Sequence, residues 1–195
     1  MSRRHLLGAL GLLVVVGCTS SGPSPGAARV TPVPETAIAA TAGAAFPTTV
    51  ISSRARVFDQ QFIDTMVPHH QLEIELARVA LTRAQHDELR ALAEDLIESE
   101  TDEVRDMQAW RGEWFGSPLT PPMGGAADID ALKATPDPFD VAFIDALLPL
   151  AQQAIELSNR AVLEAGQQNV LDVAGAILES HSRYSLQMQA WRKDW

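Results

Sequence analysis

Four side chains that can bind a metal ion lie three or four residues apart in one stretch of the sequence. They are Met66, His69, His70 and Glu73. In an α-helix this spacing brings side chains together on one face, and here that face is the apolar one that also carries Phe62. A buried imidazole or carboxylate is costly unless it is hydrogen-bonded, paired or bound to a metal. The pattern therefore predicts a metal site, with a buried His–Glu network that only fixes helix register as the alternative.

The elements that must position these side chains come from an internal repeat. A shift of 81 residues aligns 58–114 with 139–195 without a gap, and 21 of the 57 positions are identical. Such repetition indicates one supersecondary unit used twice. Apolar residues at helical spacing predict two helices in each unit, over 54–83, 85–115, 138–165 and 167–194. Two such hairpins can bury their apolar stripes against each other, so we predict an all-α fold, an antiparallel four-helix bundle.

Further candidate ligands follow from this arrangement. If the first hairpin turns near residue 84, antiparallel pairing places Glu100 level with the two histidines, and Met107 lies further along the same face. His181 is the repeat equivalent of Glu100, so the same geometry brings it to that level. Met107 is also a candidate for simple packing, because methionine is a common core residue. His86 lies at the predicted turn, where we expect it to be solvated.

The second copy provides an internal control for these polar residues. The positions equivalent to the four clustered side chains of the first helix are all apolar: Leu147, Leu150, Ala151 and Ala154. The scaffold is retained there without the polar groups, so the fold does not require them. We therefore expect one site in the protein, with ligands chosen from Met66, His69, His70, Glu73, Glu100, Met107 and His181.

The start of the chain has the pattern of an export signal. Arg3 and Arg4 precede an apolar stretch over 6–16, and residues 1–17 are therefore predicted to be a signal peptide. The sequence that ends at Cys18 resembles the lipobox of bacterial lipoproteins, which predicts lipidation of this cysteine. A plain secretory signal with an incidental cysteine is the alternative. The arginine pair also resembles a twin-arginine motif, so either export route is open.

The rest of the chain divides by composition. Residues 18–50 combine the lipidated cysteine with a Pro-, Ala- and Thr-rich tether that is predicted to be disordered. The folded domain is predicted over 51–195, with a Pro- and Gly-rich linker over 115–138 between the two repeats. We accordingly expect a protein of the cell envelope that is exported and held at the membrane by a lipid anchor.

Composition and motifs exclude several functions. The formal net charge of −10 argues against nucleic acid as a partner, since that contact needs clustered Lys and Arg. The sequence has no Gly-x-Ser-x-Gly motif and no phosphate-binding Gly-rich loop. It also lacks the Glu-x-x-His pairs of a di-iron oxidase. We therefore predict a protein that is not an enzyme, and a non-catalytic structural or interaction lipoprotein remains the second hypothesis.

Two motifs in the chain are similar to those of a known family. Residues 62–71, with the core Met66-Val-Pro-His-His-Gln71, and the later stretch Met107-Gln-Ala-Trp110 resemble the domain-of-unknown-function family 305. The resemblance spans about 54–195 and implies a ferritin-like helical fold, often exported. Some members bind copper in the envelope, which implies Met66, His69 and His70 as ligands. Here Leu76 stands where many members carry Met, and Glu100-Thr101 stands where Gln is usual. More carboxylates and fewer thioethers favour Cu(II), with Zn(II) as a further candidate. Metal sequestration or tolerance is the implied role.

Overall fold

The computed structural model describes residues 51–117 and 125–195. The predicted signal peptide, Cys18 and the tether lie outside these described residues. Within them the chain is helical and contains no strand, so the predicted all-α bundle is confirmed. The four predicted helices begin and end within two residues of the predicted bounds. The helices are α1 Ser53–Arg83, α2 Asp87–Phe115, α3 Ala126–Ala134, α4 Phe139–Glu164 and α5 Gln168–Asp194.

The short helix α3 lies in the segment that was predicted to be only a linker. Its Ile129 and Leu132 are buried against α1 and α4. The Arg83 guanidinium at the end of α1 donates hydrogen bonds to the carbonyl oxygens of Leu132, Lys133 and Thr135, at 3.1, 2.8 and 2.7 Å. These bonds satisfy carbonyls that a helix end leaves without partners. A helix of nine residues between glycines and prolines is too short for its periodicity to stand out.

The bundle is centred on the two helices that begin the repeats. Helix α1 packs on α2, α4 packs on α5, and α1 and α4 pack on each other, whereas α2 and α5 approach each other less closely. Pro68 and Pro149 lie inside α1 and α4 at equivalent positions of the repeat. Helix α4 is long and apolar enough to cross a membrane by composition alone. In this protein it packs along α1 and α5 and buries Phe143, Ile144 and Leu147 in the core.

Each hairpin supplies a carboxylate to the turn of the other hairpin. The Asp59 carboxylate accepts hydrogen bonds from the amides of Gly166 and Gln167, at 2.9 and 3.2 Å. Its repeat equivalent, Asp140, accepts from the amides of Gln85 and His86, both at 2.9 Å. Both carboxylates are buried. They satisfy amides at the start of α5 and of α2, where a helix has no internal acceptors.

The environment of His86 differs from the expected solvated one. Its Nδ1 atom lies 2.6 Å from the Asp140 carboxylate, and its ring stacks on Trp195 with the centroids 3.8 Å apart. His86 therefore belongs to the capping arrangement at the turn.

Removing the buried Asp140 carboxylate should destabilise the protein more than removing an exposed one. Asp140→Ala leaves the turn amides without an acceptor, which costs about 1–3 kcal/mol of unfolding free energy. The control is Asp145→Ala, which breaks an exposed ion pair with Arg192 and should cost under about 1 kcal/mol. Urea unfolding followed by circular dichroism measures both. Equal losses for the two variants would contradict the capping role.

Candidate metal centre

Helix α1 brings three of the candidate ligands to one side of the bundle. The helix runs through Pro68 without interruption and carries His69, His70 and Glu73 within one turn. The side chains of His70 and Glu73 are fully buried, whereas that of His69 is 12% exposed. Helices α2 and α5 place Glu100 and His181 against them.

The carboxylates of Glu73 and Glu100 contact ring nitrogen atoms of the histidines. Glu73 Oε2 is 3.3 Å from His70 Nδ1 and 3.4 Å from His181 Nε2. The same oxygen is 3.4 Å from His69 Nε2. Glu100 Oε1 is 3.4 Å from His181 Nε2 and 4.0 Å from His70 Nδ1. Three helices, α1, α2 and α5, thus contribute to one polar cluster inside the core.

Four of these side chains are close enough together to hold one ion. They are His70, Glu73, Glu100 and His181, and one ligand atom from each lies within 4.8 Å of all the others. The rings of His70 and His181 stack at 5.5 Å. No side chain of the four is more than 2% exposed. Ligand atoms about 2 Å from a shared ion lie up to ~4 Å apart, so a small contraction would suit a metal.

Several polar atoms of this region are buried without a hydrogen-bond partner. They are His70 Nε2, Glu73 Oε1, both carboxylate oxygens of Glu100 and Glu103 Oε2. Nearly all buried polar groups in native proteins are satisfied, and each exception costs about 1–3 kcal/mol. A bound cation would satisfy lone pairs of this kind. The residues present therefore fit a metal ion in their chemistry as well as in their spacing.

Glu103 belongs to this region, although its place at the edge of the apolar face kept it out of the ligand set predicted from the sequence. Its Oε2 atom lies 2.9 Å from His70 Nε2, closer than Glu73 or Glu100 comes to that ring. The two atoms are not aligned for a hydrogen bond, so both remain unsatisfied. The repeat carries a signal that could have identified it. The equivalent residue of the second copy is the uncharged Tyr184, the same kind of contrast that singled out His70.

The buried groups shift one another's pKa. Burial alone lowers the pKa of His70, but contacts with Glu103 and Glu73 outweigh it and raise that pKa to about 9. Burial raises the pKa of Glu73, but contacts with His181 and His70 outweigh it and hold that pKa below its usual value. Burial raises the pKa of Glu100 well above its usual value, and the neighbouring Glu73 and Glu103 raise it further. Burial and the neighbouring carboxylates thus oppose ionisation of Glu100, and a cation bound beside it would favour its charged form.

His69 lies at the side of the cluster that faces α4. Its Nε2 atom is 3.1 Å from the carbonyl oxygen of Leu150, the equivalent residue of the second copy. Burial lowers the pKa of His69, so its imidazole is neutral near pH 7. His69 and the fully buried Met66 line a cavity of about 240 Å³ between α1 and α4. Met66 and Met107 belong to one apolar cluster of the core and lie among hydrocarbon side chains.

The second copy has no such polar cluster at the equivalent positions. Leu147, Ala151 and Ala154 are buried there and Leu150 is half-buried. Of the candidates from the sequence, the structure brings together His69, His70, Glu73, Glu100 and His181. It places the two methionines, Met66 and Met107, in the neighbouring apolar core.

Comparisons with known proteins give a family and solved structures of similar fold. The family model described as domain of unknown function (DUF305) matches residues 59–192. The structure of CopM in its Cu(I)-bound form has a TM-score of 0.66 and 33% identity, covering 70% of this chain and 96% of that one. The Cu(II)-bound form of CopM gives 0.65 and 33%, covering 70% and 97%. CopM has also been solved with silver bound.

Two more distant proteins complete the comparison. A DUF305 fragment from Deinococcus radiodurans has a TM-score of 0.63 and covers 71% of this chain and 97% of that one. At 22% identity it bears on the fold alone. The uncharacterized protein L153 of Acanthamoeba polyphaga mimivirus is 29% identical over 59 residues, which is 30% of this chain. The match spans only 39% of the viral protein's length.

The metal-free protein should lose stability as the pH rises from about 6.5 to about 9. The pKa of His70 is raised from 6.5 to about 9 on folding, so its contribution is fully present below 6.5 and is lost as the pH passes the folded value. The loss is on the order of 3 kcal/mol. Urea unfolding in the presence of a chelator measures it. His70→Ala should show a shallower decline, and an equally steep decline in that variant would contradict the assignment.

Proposed function

Since the chain belongs to the DUF305 family, we propose that it is a copper-binding protein of the cell envelope that holds the ion as cargo. The observation that carries the proposal is the buried cluster with unsatisfied ligand atoms. Both carboxylate oxygens of Glu100 and the Oε1 atom of Glu73 have no hydrogen-bond partner. The other oxygen of Glu73 and the Oε1 atom of Glu100 each lie 3.4 Å from His181 Nε2. No helix packing requires this arrangement, because the second copy has only apolar side chains at the positions of His70 and Glu73.

Copper is favoured by the relatives and by the donor atoms. CopM has been solved with Cu(I), with Cu(II) and with silver bound. Its Cu(II)-bound structure is 33% identical in sequence to this chain. Imidazole and carboxylate ligands suit Cu(II), whereas thioethers suit Cu(I). We propose that His70, Glu73, Glu100 and His181 form the main ligand set. His69 and Met66 are the candidates for further ligands on the α4 side, and Met107 is a weaker one, because it packs in the apolar core.

Sequestration is proposed in preference to catalysis. A catalytic metal keeps a coordination position open to substrate, whereas a structural or stored ion is enclosed by protein. The four ligand side chains are at most 2% exposed, which favours an enclosed ion.

We also propose that the protein is exported and anchored through a lipid on Cys18. This part rests on the signal-like residues 1–17 and on the tether over 18–50. A role in metal tolerance would follow from binding outside the cytoplasm.

A metal-free structural role is the second candidate. The contacts of Glu73 with His70 and His181, and of Glu103 with His70, are those of a buried ion-pair network. Such a network predicts that apolar replacements of similar volume are neutral or stabilising. The two candidates therefore differ in what metal ions do to the protein.

Replacing the polar residues of α1 by those of the second copy should abolish tight copper binding. The variant His69→Leu, His70→Ala, Glu73→Ala should weaken Cu(II) affinity at least about 100-fold, because three donors are lost. Competition with a chromophoric chelator measures the affinity. The matched control is His86→Gln, which also copies the second copy and lies at the turn; its affinity should be unchanged. If the unsubstituted protein takes neither Cu(II) nor Cu(I) from the chelator, the proposal is wrong and the metal-free structural role is favoured.

Copper binding should release protons. With its pKa raised to about 9, His70 is protonated at pH 7.5, and a ligand must lose its proton to bind the ion. We expect at least one proton released per Cu(II), and an affinity that falls about tenfold for each pH unit below 7.5. Titration calorimetry in buffers of different ionisation enthalpy counts the protons. A count of zero would contradict binding of the ion to a protonated His70.

A further inference from the structure

A groove with a volume of about 380 Å³ lies between α2 and α5, on the side of the bundle where Glu103 is located. Its walls hold four carboxylates, an amide and an indole ring: Asp102, Glu103, Asp106, Asp172, Asn169 and Trp110. Arg105 neutralises part of this charge, since it pairs with Asp102 at 2.6 Å and with Asp106 at 3.0 Å. Four carboxylates against one guanidinium leave the groove negative.

Glu103 links this groove to the buried cluster. It lines the groove, its side chain is 15% exposed, and its Oε2 atom is 2.9 Å from His70 Nε2. The His70 side chain is fully buried, and its Nε2 atom lies beside Glu103 but has no hydrogen-bond partner. The His70 ring therefore lies between the groove and the buried carboxylates: its Nε2 atom is beside Glu103, and its Nδ1 atom is beside Glu73 and Glu100.

The repeat shows that the scaffold does not need these carboxylates. At the positions of Asp102, Glu103 and Asp106 the second copy has Arg183, Tyr184 and Gln187. The Arg183 guanidinium there lies over the Tyr184 ring, 5.0 Å from its centroid. A helix with the same framework therefore folds with a cation and neutral groups on this face. Carboxylates at all three of these positions occur in the first copy, whose Glu103 contacts His70.

The cavity on the opposite side of the cluster differs in charge. It lies between α1 and α4, beside Met66 and His69, and its walls carry one carboxylate, Glu156, and one guanidinium, Arg160. Opposite charges there offset each other. Of these two cavities, the α2–α5 groove is the one that combines net negative charge with a carboxylate in contact with a proposed ligand.

We propose that the α2–α5 groove is the port through which a divalent cation such as Cu(II) reaches the buried cluster, with Glu103 passing the ion from the groove to His70. The inference rests on the proposed metal-binding function. A groove lined by charges of one sign raises the local concentration of the opposite ion and speeds its association. Glu103 then exchanges water ligands of the cation for a carboxylate oxygen within reach of the imidazole. No redox or covalent step is involved.

The test is the association rate of Cu(II) with the full chain, followed by stopped-flow quenching of tryptophan fluorescence. Trp110 lines the groove and serves as the reporter. Glu103→Gln should slow association about tenfold or more, while the affinity from chelator competition should not fall, because Glu103 is not one of the four buried ligands. Chelator-driven release should slow in proportion, because a port acts in both directions. Glu156→Gln, in the opposite cavity, is the matched control and should leave all three quantities unchanged.

A second variant keeps the test independent of the contact with His70. Asp106→Asn with Asp172→Asn changes only exposed or half-exposed groove side chains. It should slow association a few-fold at low salt and reduce the salt dependence of the rate. An unchanged rate in both groove variants, or equal slowing in Glu156→Gln, would overturn the port. Faster release from Glu103→Gln with weaker affinity would instead make Glu103 an equilibrium ligand and overturn its transfer role. Absence of Cu(II) binding by the unsubstituted protein would overturn both the port and the proposed function.

Discussion

The removal of charged groups from water is the physical constraint around which this bundle is organised. Glu73, Glu100, His70 and His181 lie where a helical bundle otherwise places hydrocarbon, and water does not reach them. A charge in such a position is tolerated only when opposite charges or a bound ion offset its lost hydration. The histidines supply part of that compensation. Several carboxylate oxygens still have no hydrogen-bond partner, and a bound ion would compensate for these. The apolar helices around the cluster strengthen every electrostatic interaction within it.

The repeat separates what the fold needs from what the site needs. Features present in both copies belong to the fold: the capping carboxylates Asp59 and Asp140, and the ion pairs of Arg111 with Asp64 and of Arg192 with Asp145. Features present in one copy surround the polar cluster. An asymmetric site has thus been placed in a nearly symmetric frame, in which the second copy contributes one histidine and otherwise closes the core.

The fold could be predicted from the sequence because its signals are long and occur twice. Helices of 26 to 31 residues carry many turns of apolar periodicity, and the gapless repeat fixes the hairpin boundaries. The placement of His70, Glu73, Glu100 and His181 at one level needed only the turn position and antiparallel pairing. Helix α3 could not be predicted, because two buried side chains between glycines and prolines do not form a pattern. Its position depends on the contact with Arg83, which is remote in sequence. The inward direction of Glu103 could not be predicted either. This residue lies at the edge of the apolar face of α2, and its contact with His70 shows that the side chain turns inward.

The exchanged carboxylates of Asp59 and Asp140 have a consequence for how the molecule is assembled. Neither hairpin carries the acceptor for its own turn, so pulling the two apart would strand amides at both ends of the bundle at once. The bundle should therefore open as a single cooperative unit. A lone hairpin of this sequence type would complete its caps by pairing with a second copy of itself about a two-fold axis. The internal duplication places the two halves of such a dimer in one chain. The two halves can therefore carry different side chains, and most of the candidate ligands lie in the first of them.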